Sequence, residues 1–184
     1  MSRGNADTKV RTFRVNTSLD NVLRTEAERQ SITVSALLSQ MVARYAAAER
    51  YFTRYNALTI ERNTFISIMD KLSDEEVAEL GDLAGSRSLR NGLAVRGMGV
   101  DRENVRFIVE EVYGLYSGWF TANFFDRNGV SVYHLRHDLG VKWSIFLERY
   151  MVNMFKTLMK LEVESEKGYD YVTISIPDGR KMRK

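Results

Sequence analysis

The chain has 184 residues, of which 44% are hydrophobic and 28% charged, a composition that excludes a chain too polar to bury a core. No apolar run approaches the ~20 residues that a bilayer-spanning helix needs, so no membrane partner is expected. Cys is absent, which excludes disulfides, thiolate metal sites and cysteine nucleophiles and fits a reducing cytoplasm. The first residues, Met-Ser-Arg-Gly-Asn-Ala-Asp-Thr-Lys, hold no apolar core, so no secretory signal is expected and the cytoplasm is the expected compartment.

The net charge of +3 is unevenly spread. Residues 1–54 sum to +4, residues 55–177 to −4 and residues 178–184 to +3. A basic N-terminal segment and a basic tail thus flank an acidic body, which favours a polyanion such as nucleic acid as partner. Residues 1–8 read as a flexible basic arm and 178–184 as a basic tail.

Residues 9–16, Lys-Val-Arg-Thr-Phe-Arg-Val-Asn, alternate with period two and predict a short strand. Arg11, Phe13 and Val15 share one face; Val10, Thr12 and Arg14 share the other. Asn16-Thr17-Ser18 supplies N-cap chemistry for a first helix carrying Leu19, Val22, Leu23 and Ala27 on one stripe. That helix is expected to end near Arg29-Gln30-Ser31. Thr33 then caps a second helix whose stripe is Val34, Leu37, Leu38, Met41, Val42 and Tyr45.

A strand and two short helices cannot bury enough surface to fold alone, and there are no cysteines to staple them. A lone strand also leaves its backbone N–H and C=O groups unpaired. Two intertwined copies solve both problems: the strands pair across a two-fold axis, and Phe13, Val15, Leu23, Leu37, Leu38 and Met41 become a shared core.

Residues 9–50, in this order, resemble the ribbon-helix-helix family of DNA-binding proteins, the Arc/MetJ/CopG class. Thr12-Phe13-Arg14-Val15 matches its ribbon, Asn16 to Asp20 its cap, and Leu23…Ala27 its first helix. Ser31-Ile32-Thr33-Val34-Ser35-Ala36-Leu37-Leu38 matches its turn and second helix. Ser31 departs from the pattern, because the family often ends the first helix with Gly; Ser is costly there if the backbone needs positive φ. The resemblance implies a dimer whose two-stranded ribbon enters the DNA major groove. It places Val10, Thr12 and Arg14 against base edges, with Arg14 able to give guanine two parallel hydrogen bonds. Arg3, Lys9 and Arg11, and the free N–H groups at Thr33, Val34 and Ser35, would then meet phosphates.

Residues 9–55 are expected as this DNA-binding domain and 56–177 as a second, α+β domain. The second helix is expected to run on through Phe52. Thr64–Ile68 is ambiguous between strand and helix. Ser73-Asp74-Glu75-Glu76 is a capping box opening a helix that Gly85 is expected to end. Residues 86–100, with Arg87, Arg90 and Arg96 among glycines, read as a loop or broken helix with a candidate anion site. Asp101 caps the next helix. Two strands, Trp119–Phe125 and Val130–Arg136, follow around Asn128-Gly129, a hairpin signal because both residues accept positive φ. The longest helix spans about Gly140 to Lys160. A last hairpin pairs 161–165 with 169–176 around Lys167-Gly168 and ends at Pro177. The order predicts an antiparallel sheet covered by helices, hence an α+β class overall.

Candidate chemistry in this second part is sparse. Tyr113, Tyr116, Trp119, Phe124, Tyr133 and Trp143 are candidates for an apolar ligand pocket, or simply core aromatics. His134, His137 and Asp138 have metal-ligand chemistry, but on a strand the two His face opposite sides, so no metal or other cofactor is expected. The alternative there is that His134 packs in the sheet and Asp138 caps the long helix. No hydrolase or transferase constellation is present, and an enzyme is not expected. The expected function is that of a sequence-specific transcriptional regulator: a homodimer or higher homo-oligomer on double-stranded DNA, with a second domain that senses a small-molecule effector or assembles dimers. The rivals are an antitoxin-like protein whose C-terminal part binds a protein partner, and a small-molecule-binding protein with a dimerisation ribbon and no DNA role.

Overall fold

A computed structural model of the chain describes residues 9–55, 57–127 and 129–177; the basic arm, the basic tail and Asn128 of the expected turn lie outside them. The described residues fall into two compact units that part between Tyr45 and Ala46. This is earlier than the expected boundary at 55/56. The segment after Tyr45 belongs with the second unit because Arg96 donates to the carbonyl of Ala47 at 3.2 Å, and its guanidinium lies 4.2 Å from the centre of the Tyr51 ring.

The first unit holds two helices, α1 (Thr17–Arg29) and α2 (Val34–Arg44), both capped as the sequence predicts. Residues 9–16 form no strand in the single chain. The reason is the one that argues for a partner: a strand needs another strand to take up its N–H and C=O groups, and this unit supplies none among the described residues.

The second unit begins at Ala46, within a π-helical turn, Tyr45–Glu49, and continues with α3 (Arg50–Tyr55). The ambiguous segment at 64–68 is helical, within α4 (Arg62–Met69), opened by Glu61, whose carboxylate accepts from the N–H groups of Asn63 and Thr64. The capping box at Ser73 and Glu76 opens α5 (Asp74–Ala94). This helix passes straight through Gly85, and of the loop or broken helix expected at 86–100, residues 86–94 are the second half of α5. The glycines are there for close packing. A Cβ at Gly85 would lie 2.3 Å from the carbonyl oxygen of Tyr150, and one at Gly81 would lie 2.6 Å from that of Phe146. Without side chains, α5 lies directly on the backbone of α7 (Gly140–Met154).

Asp101 caps α6 (Arg102–Phe107), which continues into a π-helical stretch, Ile108–Tyr116. The strands are β1 (Thr121–Arg127), β2 (Val130–Arg136), β3 (Glu164–Lys167) and β4 (Tyr171–Pro177). They form one antiparallel sheet in the order β1-β2-β4-β3, as the two predicted hairpins require once their inner strands pair. Gly129 sits at φ +78°, the geometry the turn signal demands. Tyr133 pairs with Phe124 on one side and Ile174 on the other, so these three share the face that meets the helices. Leu135 and Val172 extend it, and Leu89, Leu93, Val105, Ile108, Leu147 and Met151 close the core from the helical side. The protein is therefore mixed α+β. Among the described residues α5, with 21 residues, is longer than α7, with 15, the helix expected to be longest, and a hairpin follows α7.

Candidate nucleic-acid interface

The first unit is built from local chemistry that the sequence specifies residue by residue. Asn16 Oδ1 accepts from the Leu19 N–H at 2.9 Å and starts α1. At the other end, the Ser31 N–H reaches the Glu28 carbonyl and the Ile32 N–H the Ala27 carbonyl, each at 3.0 Å. These two bonds make a Schellman termination, which needs a left-handed residue between them, and Ser31 occupies it at φ +55°. Thr33 Oγ1 then accepts from the Ala36 N–H at 3.1 Å, so α2 starts immediately. A left-handed L-residue costs about 1–2 kcal/mol, partly offset in Ser31→Gly by the greater freedom of Gly in the unfolded chain. Ser31→Gly is therefore expected to stabilise this unit by roughly 0.5–1 kcal/mol, read from slower amide exchange in α1; unchanged or faster exchange would refute the strain.

Little of this unit's apolar surface is covered. Among its described residues only Ala27 and Leu37 are buried, where α1 meets α2. Leu23 and Leu38 are half-buried. Val10 is 87% exposed, Phe13 64%, Val22 64%, Met41 51% and Val42 66%, and Val15, Leu19 and Tyr45 are exposed too. Of the six residues expected in a shared core, Phe13, Val15 and Met41 are thus open to solvent in the single chain.

The cations divide into two sets. On α1, Arg24 is paired with Asp20 at 2.7 Å and Arg29 with Glu26 at 2.6 Å. Arg29 and Gln30 together hold the Glu26 carboxyl down at about 2. Lys9, Arg11 and Arg14 make no ion pair among the described residues, and with Thr12 they are exposed. At the start of α2, the N–H groups of Val34 and Ser35 have no acceptor among the described residues. Arg3 lies outside the described residues.

In the second unit the candidate residues separate. Tyr113, Trp119 and Trp143 pack on one another: Tyr113 stacks on Trp119 at 4.7 Å, Trp143 meets Trp119 edge-on at 5.4 Å, and the Trp143 indole N–H donates to the Trp119 carbonyl at 3.1 Å. The Tyr150 hydroxyl donates to that of Tyr113 at 2.9 Å. Half-buried Tyr116 closes the π-helical stretch after α6. Phe124 and Tyr133 instead line a cavity of about 420 Å³ between α6, the hairpin end of the sheet and the π-helical turn Phe155–Met159 that follows α7. Arg102 and Arg106, which the aromatic count overlooked, line it as well. Their spacing of four places both on one face of a helix, and that was the readable signal.

The histidine pair is engaged elsewhere. His134 Nδ1 lies 3.0 Å from Thr173 Oγ1, and its ring packs against Tyr171, on the sheet face away from the helices. Buried Ser144 donates to the Tyr169 carbonyl at 3.2 Å, so it accepts from His137 Nε2–H at 3.0 Å, while His137 Nδ1 accepts from the Leu139 N–H at 3.3 Å. Both ring nitrogens of His137 are thereby used in one neutral tautomer, and burial lowers its pKa, opposed by the nearby Asp170 charge. Asp138 pairs with Arg62 instead of capping α7, whose N-cap position is Leu139. Among the described residues no group of three His, Cys, Asp or Glu could hold a metal ion. Arg87 and Arg90 are exposed on α5, and Arg96 donates to the carbonyls of Gly92 and Ala47. Among the described residues no helix is long and apolar enough to cross a membrane. Comparison with protein-family models, with curated proteins and with solved structures finds no match.

Proposed function

We propose that residues 9–45 are one half of a ribbon-helix-helix module completed by a second copy of the chain, and that the protein is a sequence-specific DNA-binding transcriptional regulator. The observation that carries this reading is the uncovered apolar surface of the first unit. Ribbon residues Phe13 and Val15 and helix residues Val22, Met41 and Val42 are exposed in a segment with only two buried apolar side chains. Apolar surface favours burial at about 25 cal/mol per Å², and a two-fold partner supplies both that burial and the missing strand. The cations point the same way. Those on α1 are internally neutralised, whereas Lys9, Arg11 and Arg14 on the ribbon keep their charge for an outside anion.

In this arrangement Val10, Thr12 and Arg14 face base edges. Lys9 and Arg11, with the first N–H groups of α2 at Thr33, Val34 and Ser35, hold phosphates. Two-fold symmetry makes the operator palindromic or repeated. The second unit, with its own core, serves effector binding or the assembly of dimers.

Selection of bound DNA from a random library, using the full chain, tests the reading. An enriched two-fold motif is expected, and affinity for it should fall about 100-fold between 50 and 200 mM salt if some four phosphates are contacted. Recovery of unenriched DNA, or retention that ignores salt, would remove the proposal. Arg14→Ala should then cost the selected site about 1–3 kcal/mol per half-site while sparing non-specific affinity, since a bidentate guanine contact is worth that much. Equal losses on selected and random DNA would make Arg14 a phosphate contact.

A further inference from the structure

The cavity at the hairpin end of the sheet joins apolar walls to unsatisfied hydrogen-bond donors. Phe124, Phe155, Met159 and Ile176 form its walls. Its volume, about 420 Å³, lies within the roughly 300–1,000 Å³ of small-molecule sites. Tyr133 lines it and is 4% exposed, yet its hydroxyl has no hydrogen-bond partner among the described residues. The hydroxyl therefore opens into the cavity with its donor free, where a ligand oxygen can take the place of water. Burial and the Glu110 charge push this phenol up to about 12, so it is neutral and offers a proton.

Arg106 stands at the same site. Its guanidinium lies 4.0 Å from the centre of the Phe124 ring, and its Nε donates to Glu110 at 2.9 Å. These two contacts orient it, and its terminal nitrogens have no partner among the described residues. Two neighbouring carboxylates are engaged, Glu110 with Arg106 and Asp126 with the Ser131 hydroxyl at 2.6 Å, while exposed Glu103 lines the cavity as well, as does Arg102. Arg106 and Tyr133 thus keep donor capacity, one of them charged, beside an apolar wall.

We propose that this cavity binds a small organic carboxylate with an apolar body, its carboxylate held by Arg106 and Tyr133 and its body against Phe124, Phe155 and Met159. Charge-assisted bonds from a guanidinium to a carboxylate are about twice as strong as neutral ones, so the acid is preferred over the alcohol of equal length. The site stands independently of the DNA reading. If both hold, it is where an effector enters.

Titration of the full chain with octanoate, 1-octanol and octylammonium, followed by amide shifts in NMR, tests it. Octanoate is expected to saturate with a Kd on the order of 1 mM, perturbing β1, β2 and α6, with octanol at least about tenfold weaker and octylammonium weaker still. Arg106→Gln, at a side chain half open to solvent, should remove the preference for octanoate over octanol without disturbing the fold. Tyr133→Phe should weaken octanoate several-fold, and Met159→Trp, which fills the cavity, should abolish binding of both. No saturable octanoate binding, equal affinity for octanoate and octanol in the parent protein, or octanoate binding that survives Met159→Trp would each overturn the proposal. DNA retention of the same samples without octanoate reports separately on the proposed function.

Discussion

Gly85→Ala should destabilise the protein by about 3 kcal/mol, although helix propensity alone predicts a gain of about 1 kcal/mol for Ala over Gly in a helix interior. The two effects oppose each other, and geometry decides between them. A Cβ at Gly85 would sit 2.3 Å from the Tyr150 carbonyl oxygen and 3.0 Å from two further backbone atoms of that residue. The obstacle is backbone in the middle of α7, which cannot swing aside as a side-chain tip can. Relief requires α5 and α7 to separate, which loosens the packing of Leu89, Leu93, Leu147 and Met151, all almost fully buried. Urea denaturation should show a lower midpoint, and the thermal midpoint should fall by roughly 6–12 °C for a chain of this size. Gly81→Ala should be somewhat milder, because its closest approach, to the Phe146 carbonyl oxygen at 2.6 Å, is less severe; Arg149 Cβ at 2.8 Å is fixed to the α7 backbone and gives no relief. A Gly85→Ala protein as stable as the parent, or more so, would mean that α5 and α7 do not approach this closely.

The same glycines show where a single sequence stops being readable. Caps are legible because they act over three residues: Asn16, Thr33, Ser73 and Asp101 each accept the backbone bond that their spacing predicts. Hairpins are legible for the same reason, and the two predicted hairpins, once joined, leave β2 beside β4. Gly85 looks locally like a helix stop. Its actual role depends on Tyr150, which no window around Gly85 contains. Ser31 is the reverse case. Its left-handed backbone is set by its own turn, so the cost of a non-glycine residue there could be read from the chain alone.

Aromatic residues mislead in a related way. Counting them placed six in one candidate pocket, yet large rings bury best against each other, and the Tyr113, Trp119 and Trp143 rings do so. The cavity lies where the rings run out and polar groups begin: Phe124 and Tyr133 at one end of the sheet, with Arg102 and Arg106 opposite. A pocket is a gap between elements. What the sequence can supply is the mixture of chemistry on a single helix face, and at positions 102 and 106 it did.

Met41→Asp should convert the protein to a monomer and abolish specific DNA binding, and this substitution separates a shared core from a private one. Leu37 is buried within the single chain, so a charge there would damage a monomer and a dimer alike. Met41 is 51% exposed in the single chain. In a monomer its replacement by Asp keeps the new charge in water and costs little, because surface changes away from special features usually stay within about 0.5 kcal/mol. In an intertwined dimer the side chain lies in the joint core, and two-fold symmetry introduces the charge twice. Each unpaired buried carboxylate then costs about 3–5 kcal/mol, enough to raise the dimer dissociation constant at least about 100-fold. Light scattering across a dilution series should show the parent as a dimer and the variant as a monomer. The second unit, whose core is its own, should keep its cooperative thermal transition. A variant that remains dimeric and still selects the same DNA would place Met41 outside any shared core, and the two-copy module would go with it.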